Sequence, residues 1–139
     1  MKLQIEVDYK TTIERHGNHR GVSYLISQHS FRDEDDLYLG PCIWCTYVLL
    51  VPEKYEELKS RLSGAPWNGD ITFQRKISEE HIDCSPELKA KWDSSCFKIG
   101  DDFAHSWDRG LWGLDEWVSM EAHIKRVIDY LLDGPKADE

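Results

Sequence analysis

The sequence predicts an α+β domain: a small antiparallel or mixed β-sheet with two helices packed on one face. Three observations carry this. Several segments alternate apolar and polar residues with the period of a strand. One stretch, Ile43–Val51, is almost wholly apolar and rich in β-branched and aromatic residues. Two other segments repeat apolar residues at three and four, the period of an amphipathic helix. With 139 residues the chain has the size of one domain, taken here as 1–139.

The elements follow in order. Leu3, Ile5, Val7 and Tyr9 alternate with Lys2, Gln4, Glu6 and Asp8, and the pattern can run on to Ile13. "RHGNHRG" then offers turn chemistry at Gly17, Asn18 and Gly21, and "VSYLIS" at Val22–Ser27 returns as the second strand of a hairpin. Phe31–Pro41 is a polar connection. Ile43–Val51 is the central strand, with Trp44, Val48 and Leu50 in the core. Pro52 suits a first helical position, Tyr55, Leu58 and Leu62 share a face, and Gly64 ends that helix. Ile71–Ile77 alternates as a further strand, and Glu87–Trp92 holds one short helical turn. Cys96–Phe103 is the last strand. Trp117, Met120, Ile124, Val127, Ile128 and Leu131 form the stripe of the closing helix. Asp115 or Ser119 is the expected cap, and Gly134-Pro135 the stop.

Composition narrows the function classes. The formal net charge is −9, and the longest charged run, Arg32–Asp36, is mostly acidic. Direct nucleic-acid binding is therefore not expected, since it calls for a basic patch. Mimicry of nucleic acid is a weak alternative at this charge density. No apolar run approaches the roughly 20 residues that span a bilayer. No membrane partner is expected, and the start of the chain lacks the apolar core of a secretory signal. The expected location is the cytoplasm, where cysteines stay reduced. Cys42 and Cys45 form a C-x-x-C, but Cys84 and Cys96 do not supply the second close pair of a zinc knuckle. Buried thiols without metal are expected, and no cofactor is called for. Homo-oligomers remain open.

The chemistry-bearing residues crowd into "GDDFAHSWD". Asp102, His105 and Asp108 recur every three residues, so a tight 3₁₀ turn would aim them one way. An imidazole between carboxylates can bind a ligand or metal, or act as an oriented base. The same spacing also makes a structural knot at the end of a strand. Both remain open. Asn68 with Thr72, and His19 with Arg20, would join them if the sheet order brought these turns to one edge. His16, His19 and His123 are expected at the surface. Trp107, Trp112 and Trp117 recur every five residues, neither a helical nor a strand period. They close the end of the core or, at Trp107 and Trp112, face a partner. No nucleophile elbow, phosphate-binding glycine loop, H-E-x-x-H or deaminase signature occurs.

Three short segments, Asn18–Val22, Trp67–Phe73 and Gly100–Asp108, together resemble a family of short, uncharacterised phage and prophage proteins. That family carries a histidine-glycine-glycine-isoleucine-threonine-aromatic segment. A later segment reads glycine-phenylalanine-aspartate-cysteine-alanine-histidine-alanine-glycine-aspartate, and a C-terminal amphipathic helix follows. Gly69, Ile71, Thr72 and Phe73 match the first; Asn68 stands where the family tends to have histidine. Gly100, Asp102, Ala104, His105 and Asp108 match the second, while Asp101, Phe103, Ser106 and Trp107 depart from it. The resemblance implies a phage-like origin and a shared structural role for Asp102, His105 and Asp108. It carries no activity. The expectation that follows is a small binding or regulatory protein acting on a host protein or sequestering a small ligand, without turnover. The alternative is a metal-assisted hydrolase using Asp102, His105 and Asp108, with Asp101 as a further carboxylate.

Overall fold

Residue alternation and two long apolar stripes resolve into one antiparallel sheet under two helices. The computed structural model describes residues 11–30, 42–76, 96–113 and 115–135. The alternation at Leu3–Tyr9, the connection Phe31–Pro41 with its acidic run, Ile77, Cys84 and the helical turn at Glu87–Trp92 lie outside them. The strands are β1 (Thr11–His19), β2 (Val22–Ser30), β3 (Ile43–Leu50), β4 (Phe73–Lys76) and β5 (Phe97–Asp102), in the order β1-β2-β3-β5-β4. Every pairing is antiparallel. The helices are α1 (Pro52–Leu58) and α2 (Trp117–Asp133). A 3₁₀ segment, Lys59–Gly64, continues α1, and a second, Ser106–Leu111, follows β5.

β3 is the middle strand because its apolar residues serve both faces. Trp44, Val48 and Leu50 join Val22, Tyr24, Ile26 and Ile99 on the side that the helices cover. There they meet Leu58 and Leu62 from the α1 region and Met120, Ile124, Val127, Ile128 and Leu131 from α2. Burying each large side chain contributes about 1.5–3 kcal/mol. Leu49 points the other way, onto Leu25, Cys96 and Tyr47. The C-x-x-C is split in the same manner. Cys42 enters the core beneath the helices, while Cys45 takes the opposite side of the sheet from Trp44 and Thr46. Burial pushes the Cys45 thiol up to about 11, which leaves it inert as a nucleophile near neutral pH.

The hairpin turns later than the glycine-rich sequence suggests. β1 runs through Gly17 to His19, and the turn is Arg20-Gly21, with φ of 54° and 86°. Two positive φ values match the right-handed twist of a two-residue hairpin, and Asn18 Oδ1 accepts from the Gly21 N–H at 3.0 Å. Gly17 is needed within the strand instead, because a Cβ there would stand 2.2 Å from the Tyr24 ring. α1 is shorter than its apolar spacing predicts, tightening to 3₁₀ geometry at Lys59 so that Leu62 still reaches the core. β4 is shorter than Ile71–Ile77 by its first two residues, β5 lacks Cys96 and Phe103, and β3 ends before Val51. At the start of α2 neither Asp115 nor Ser119 caps. Glu116 holds the cap position without a side-chain bond, and the Ser119 hydroxyl donates to its carboxylate at 3.1 Å. Among the described residues no helix is long and apolar enough to cross a membrane.

The hairpin tip is clasped to the end of α2. Arg20 donates to both carboxylate oxygens of Asp133 at 2.8 and 2.9 Å and to Asp129 at 3.0 Å; His19 Nε2 meets the same Asp129 oxygen at 2.8 Å. Arg61 donates to the terminal carbonyls of Leu131 and Leu132 at 2.9 Å, and Gly134, with φ of 76°, ends the helix.

Two predictions follow from the packing. Val48 is fully buried (0% exposed), so Val48→Asp strands a charge in the core at a cost of roughly 3–5 kcal/mol. A urea melt should show the variant largely unfolded; a melt coincident with the parent would remove β3 from the core. The clasp also predicts an acid limb. Asp129 is held below the ordinary carboxylate range by its bond to His19 and then by Arg20, and Asp133 by Arg20. A depressed folded-state pKa adds stability above the unfolded value, near about 4, and loses it as pH falls through the folded one. Melting temperature should therefore decline below about pH 4, and the decline should be shallower in Arg20→Gln. The clasp is exposed, so added salt should shrink the difference.

Candidate functional site

β5 alternates Phe97, Ile99 and Asp101 onto the helix-covered side. The third position thus drives a carboxylate into the core, where Asp101 is 1% exposed. A buried carboxylate must collect donors, and three elements supply them. Thr46 Oγ1 of β3 donates to Oδ1. The backbone N–H of Asn68 and the Nε2 of His123, from α2, reach Oδ2 at 2.7 and 2.8 Å. His123 is therefore buried, 8% exposed, and not at the surface, where a place off the apolar stripe of the closing helix would put it. Its ring also lies edge-on to Phe103, with centroids 5.0 Å apart.

Asn68, pinned by its backbone to Asp101, reaches outward with its side chain. Its Nδ2 lies 3.0 Å from the Asp102 carbonyl and 3.0 and 2.9 Å from the two oxygens of Asp108. Its Oδ1 accepts from the Trp107 indole N–H at 3.3 Å. A carboxylate only accepts and an indole N–H only donates, so the amide has one usable orientation.

Asp108 is 2% exposed and is the hub of the outer group. Its Oδ2 accepts from the His105 backbone N–H at 2.9 Å, which secures the entry of the second 3₁₀ segment, and meets His105 Nδ1 at 2.8 Å. The carboxylate assigns the proton to Nδ1 and leaves Nε2 to accept, or to donate when the ring is charged. Asp102 stands further off. Its Oδ1 is 3.9 Å from His105 Nδ1 and accepts instead from the Ala104 N–H at 3.1 Å, closing the turn after β5. The His105 and Trp107 rings stack, with centroids 4.2 Å apart and planes 10° from parallel. Gly69, at φ of 89°, runs beside both; a Cβ there would stand 3.4 Å from His105 Nε2 and from the Trp107 ring. Glycine satisfies the backbone conformation and keeps the edges of the two rings open.

The geometry thus brings together Asn68, Asp102, His105, Asp108 and Trp107. Thr72 does not join them: it is exposed, and gives only its backbone N–H, to Gly100 O at 3.0 Å. His19 and Arg20 belong to the clasp on α2 and not to this edge. Trp107 is 66% exposed. Trp112 is half-buried and donates its indole N–H inward to Phe103 O at 2.7 Å. Trp117 stands edge-on over Trp44 at 4.7 Å. Among the described residues no group of three or more His, Cys, Asp and Glu side chains is placed to hold a metal ion. Asp102 and Asp108 both approach Nδ1 of His105, so a metal on Nε2 would find neither carboxylate. Comparison of the chain with protein-family models, with curated proteins and with solved structures gives no match.

Removing Asp108 leaves the His105 backbone N–H and the His105 ring without their acceptor in a largely buried place, and leaves the Asn68 amide only the Asp102 carbonyl. Asp108→Ala should cost about 3–5 kcal/mol. His105→Ala, whose ring is partly exposed, should cost about 1 kcal/mol. Equilibrium denaturation of the two variants checks the order; equal losses would mean that Asp108 does not organise the turn.

Proposed function

We propose that this chain is a small binding or regulatory protein, of the phage kind that its short segments resemble, which holds a host factor or a small ligand at Trp107 without turnover. The observation that carries the reading is a contradiction at Trp107. The ring is 66% exposed, yet it is fixed from two sides, by the stack on His105 and by the bond to Asn68. An exposed indole gains little for the fold from being held still. It gains much for binding, because ordering a contact residue in advance removes part of the entropy lost on association. Tryptophan is also the residue most enriched at the energetic centres of interfaces. The net charge of −9 favours a neutral or basic partner.

One observation favours a second reading, a hydrolytic one. Asp108 holds His105 Nδ1, and Nε2 has no hydrogen-bond partner among the described residues, the arrangement of an oriented general base. The metal-assisted form of that reading is weaker, since both carboxylates address the same nitrogen. The binding reading is preferred because the fixed, outward ring is explained by it and not by base catalysis.

The test is fluorine NMR on protein labelled with 5-fluorotryptophan, with the Trp107 resonance assigned by Trp107→Phe. Host-cell fractions and a library of nucleotides and small metabolites are added in turn. The expected result is a saturable shift of the Trp107 resonance by a compound or protein recovered unchanged. Trp107→Ala should then weaken binding at least about tenfold with an unaltered melting temperature. A ligand consumed by the parent and spared by His105→Ala would establish the hydrolytic reading instead. Saturable binding that leaves the Trp107 resonance in place would overturn both.

A further inference from the structure

We infer that His123, on the inner side of α2, is a positioning residue for the surface indole of Trp107. The inference rests on the reading of Trp107 as the contact residue, and extends it from the surface into the core.

The warrant is one continuous hydrogen-bonded path. His123 Nε2 reaches Asp101 Oδ2 at 2.8 Å, and the same oxygen accepts from the Asn68 backbone N–H at 2.7 Å. That oxygen is placed by α2 on one side and places Asn68 on the other. The Asn68 side chain then spans Asp108 and Trp107, at 2.9–3.0 Å and 3.3 Å. Asn68 lies outside helix and strand, so no regular backbone ladder holds it. Its backbone is held by Asp101, and its side chain by the Asp102 carbonyl and Asp108. Thr46 holds the other Asp101 oxygen, and two donors on Oδ2 against one on Oδ1 fix the rotation of the group. Without the imidazole donor, one restraint on that rotation is gone, and the Asn68 backbone is free to follow the carboxylate. A second contact works in the same sense. Phe103 packs on the His123 ring and presents its carbonyl to Trp112, at the far end of the 3₁₀ segment that carries Trp107. A residue on the closing helix thereby sets the orientation of a ring that it does not touch.

The experiment uses the full chain, labelled with 5-fluorotryptophan and free of any ligand. His123→Leu keeps the bulk and removes the donor; His123→Gln keeps a donor at nearly the reach of Nε2. The readout is the Trp107 fluorine shift and its H₂O/D₂O isotope effect, which reports exposure of that ring alone. In His123→Leu the resonance should move and broaden and its isotope effect rise; in His123→Gln both should return towards the parent. A folded His123→Leu with an unchanged Trp107 resonance overturns the inference, as does a displacement that His123→Gln fails to reverse. If His123→Leu does not melt cooperatively, His123→Phe, which keeps an aromatic ring against Phe103 and removes the donor to Asp101, is read in its place. It should displace the same resonance, and an unmoved resonance is again fatal. No ligand is involved, so a negative result here leaves the binding reading standing, and a failure to find a ligand leaves this one standing.

Discussion

The carboxylate of Asp101 is the constraint that the rest of the structure answers to. A charge in an apolar interior costs several kcal/mol unless donors surround it. Here the donors come from three separate parts of the chain: a strand hydroxyl, a loop amide and a helix imidazole. Each must stand within hydrogen-bond distance of one small group. That requirement sets the rotation of α2 about its axis, because only one face can present His123 together with Met120, Ile124 and Val127. It also sets where the chain passes after the first 3₁₀ segment, because the Asn68 N–H must point inward. Apolar packing alone would tolerate sliding of the helix over the sheet; a three-donor carboxylate does not.

Much of the fold was legible because it depends on period. The alternation about Val22–Ser27, the apolar run at β3 and the three-and-four spacing of Met120, Ile124, Val127 and Leu131 each have one economical reading. Turn position was less legible. Gly17, Asn18 and Gly21 are all turn residues by type, but Gly17 pairs with Tyr24 within the strand, where the Tyr24 ring leaves no room for a Cβ. At the site, Asp102, His105 and Asp108 drew notice through their spacing. Their roles did not follow from it, since Asp108 rather than Asp102 holds the imidazole. The inner group was missed through polarity, although its period was visible. Thr46 falls between Trp44 and Val48, Asp101 follows Phe97 and Ile99 at steps of two, and His123 completes the stripe of α2. Three polar residues in apolar register, on three different elements, is the pattern of a buried network. Asn68 could not have been placed at all without the sheet order, because nothing local distinguishes it from an ordinary turn residue.

The two histidine–aspartate pairs divide the labour. The inner pair, His123 with Asp101, is buried, with the imidazole Nε2 on the carboxylate. The outer pair, His105 with Asp108, closes one nitrogen and leaves the ring edge at the surface beside Trp107. Asn68 joins them through both its backbone and its side chain. A surface built this way is tied by hydrogen bonds to the core below it. That is useful for recognition, where loops otherwise lose affinity by having to be ordered on contact.

The clasp between Arg20 and the end of α2 bears on how the chain is born. It joins the first described hairpin to the last described helix. The apolar side of β2 and β3 is likewise covered by Met120–Leu131. During vectorial synthesis the hairpin therefore emerges long before the residues that shield it. It must wait on the ribosome with its greasy side uncovered until the closing helix is out. Long-range contacts of this kind slow folding and lengthen exposure to aggregation. Packing of the sheet therefore waits for α2, whichever residues emerge after it.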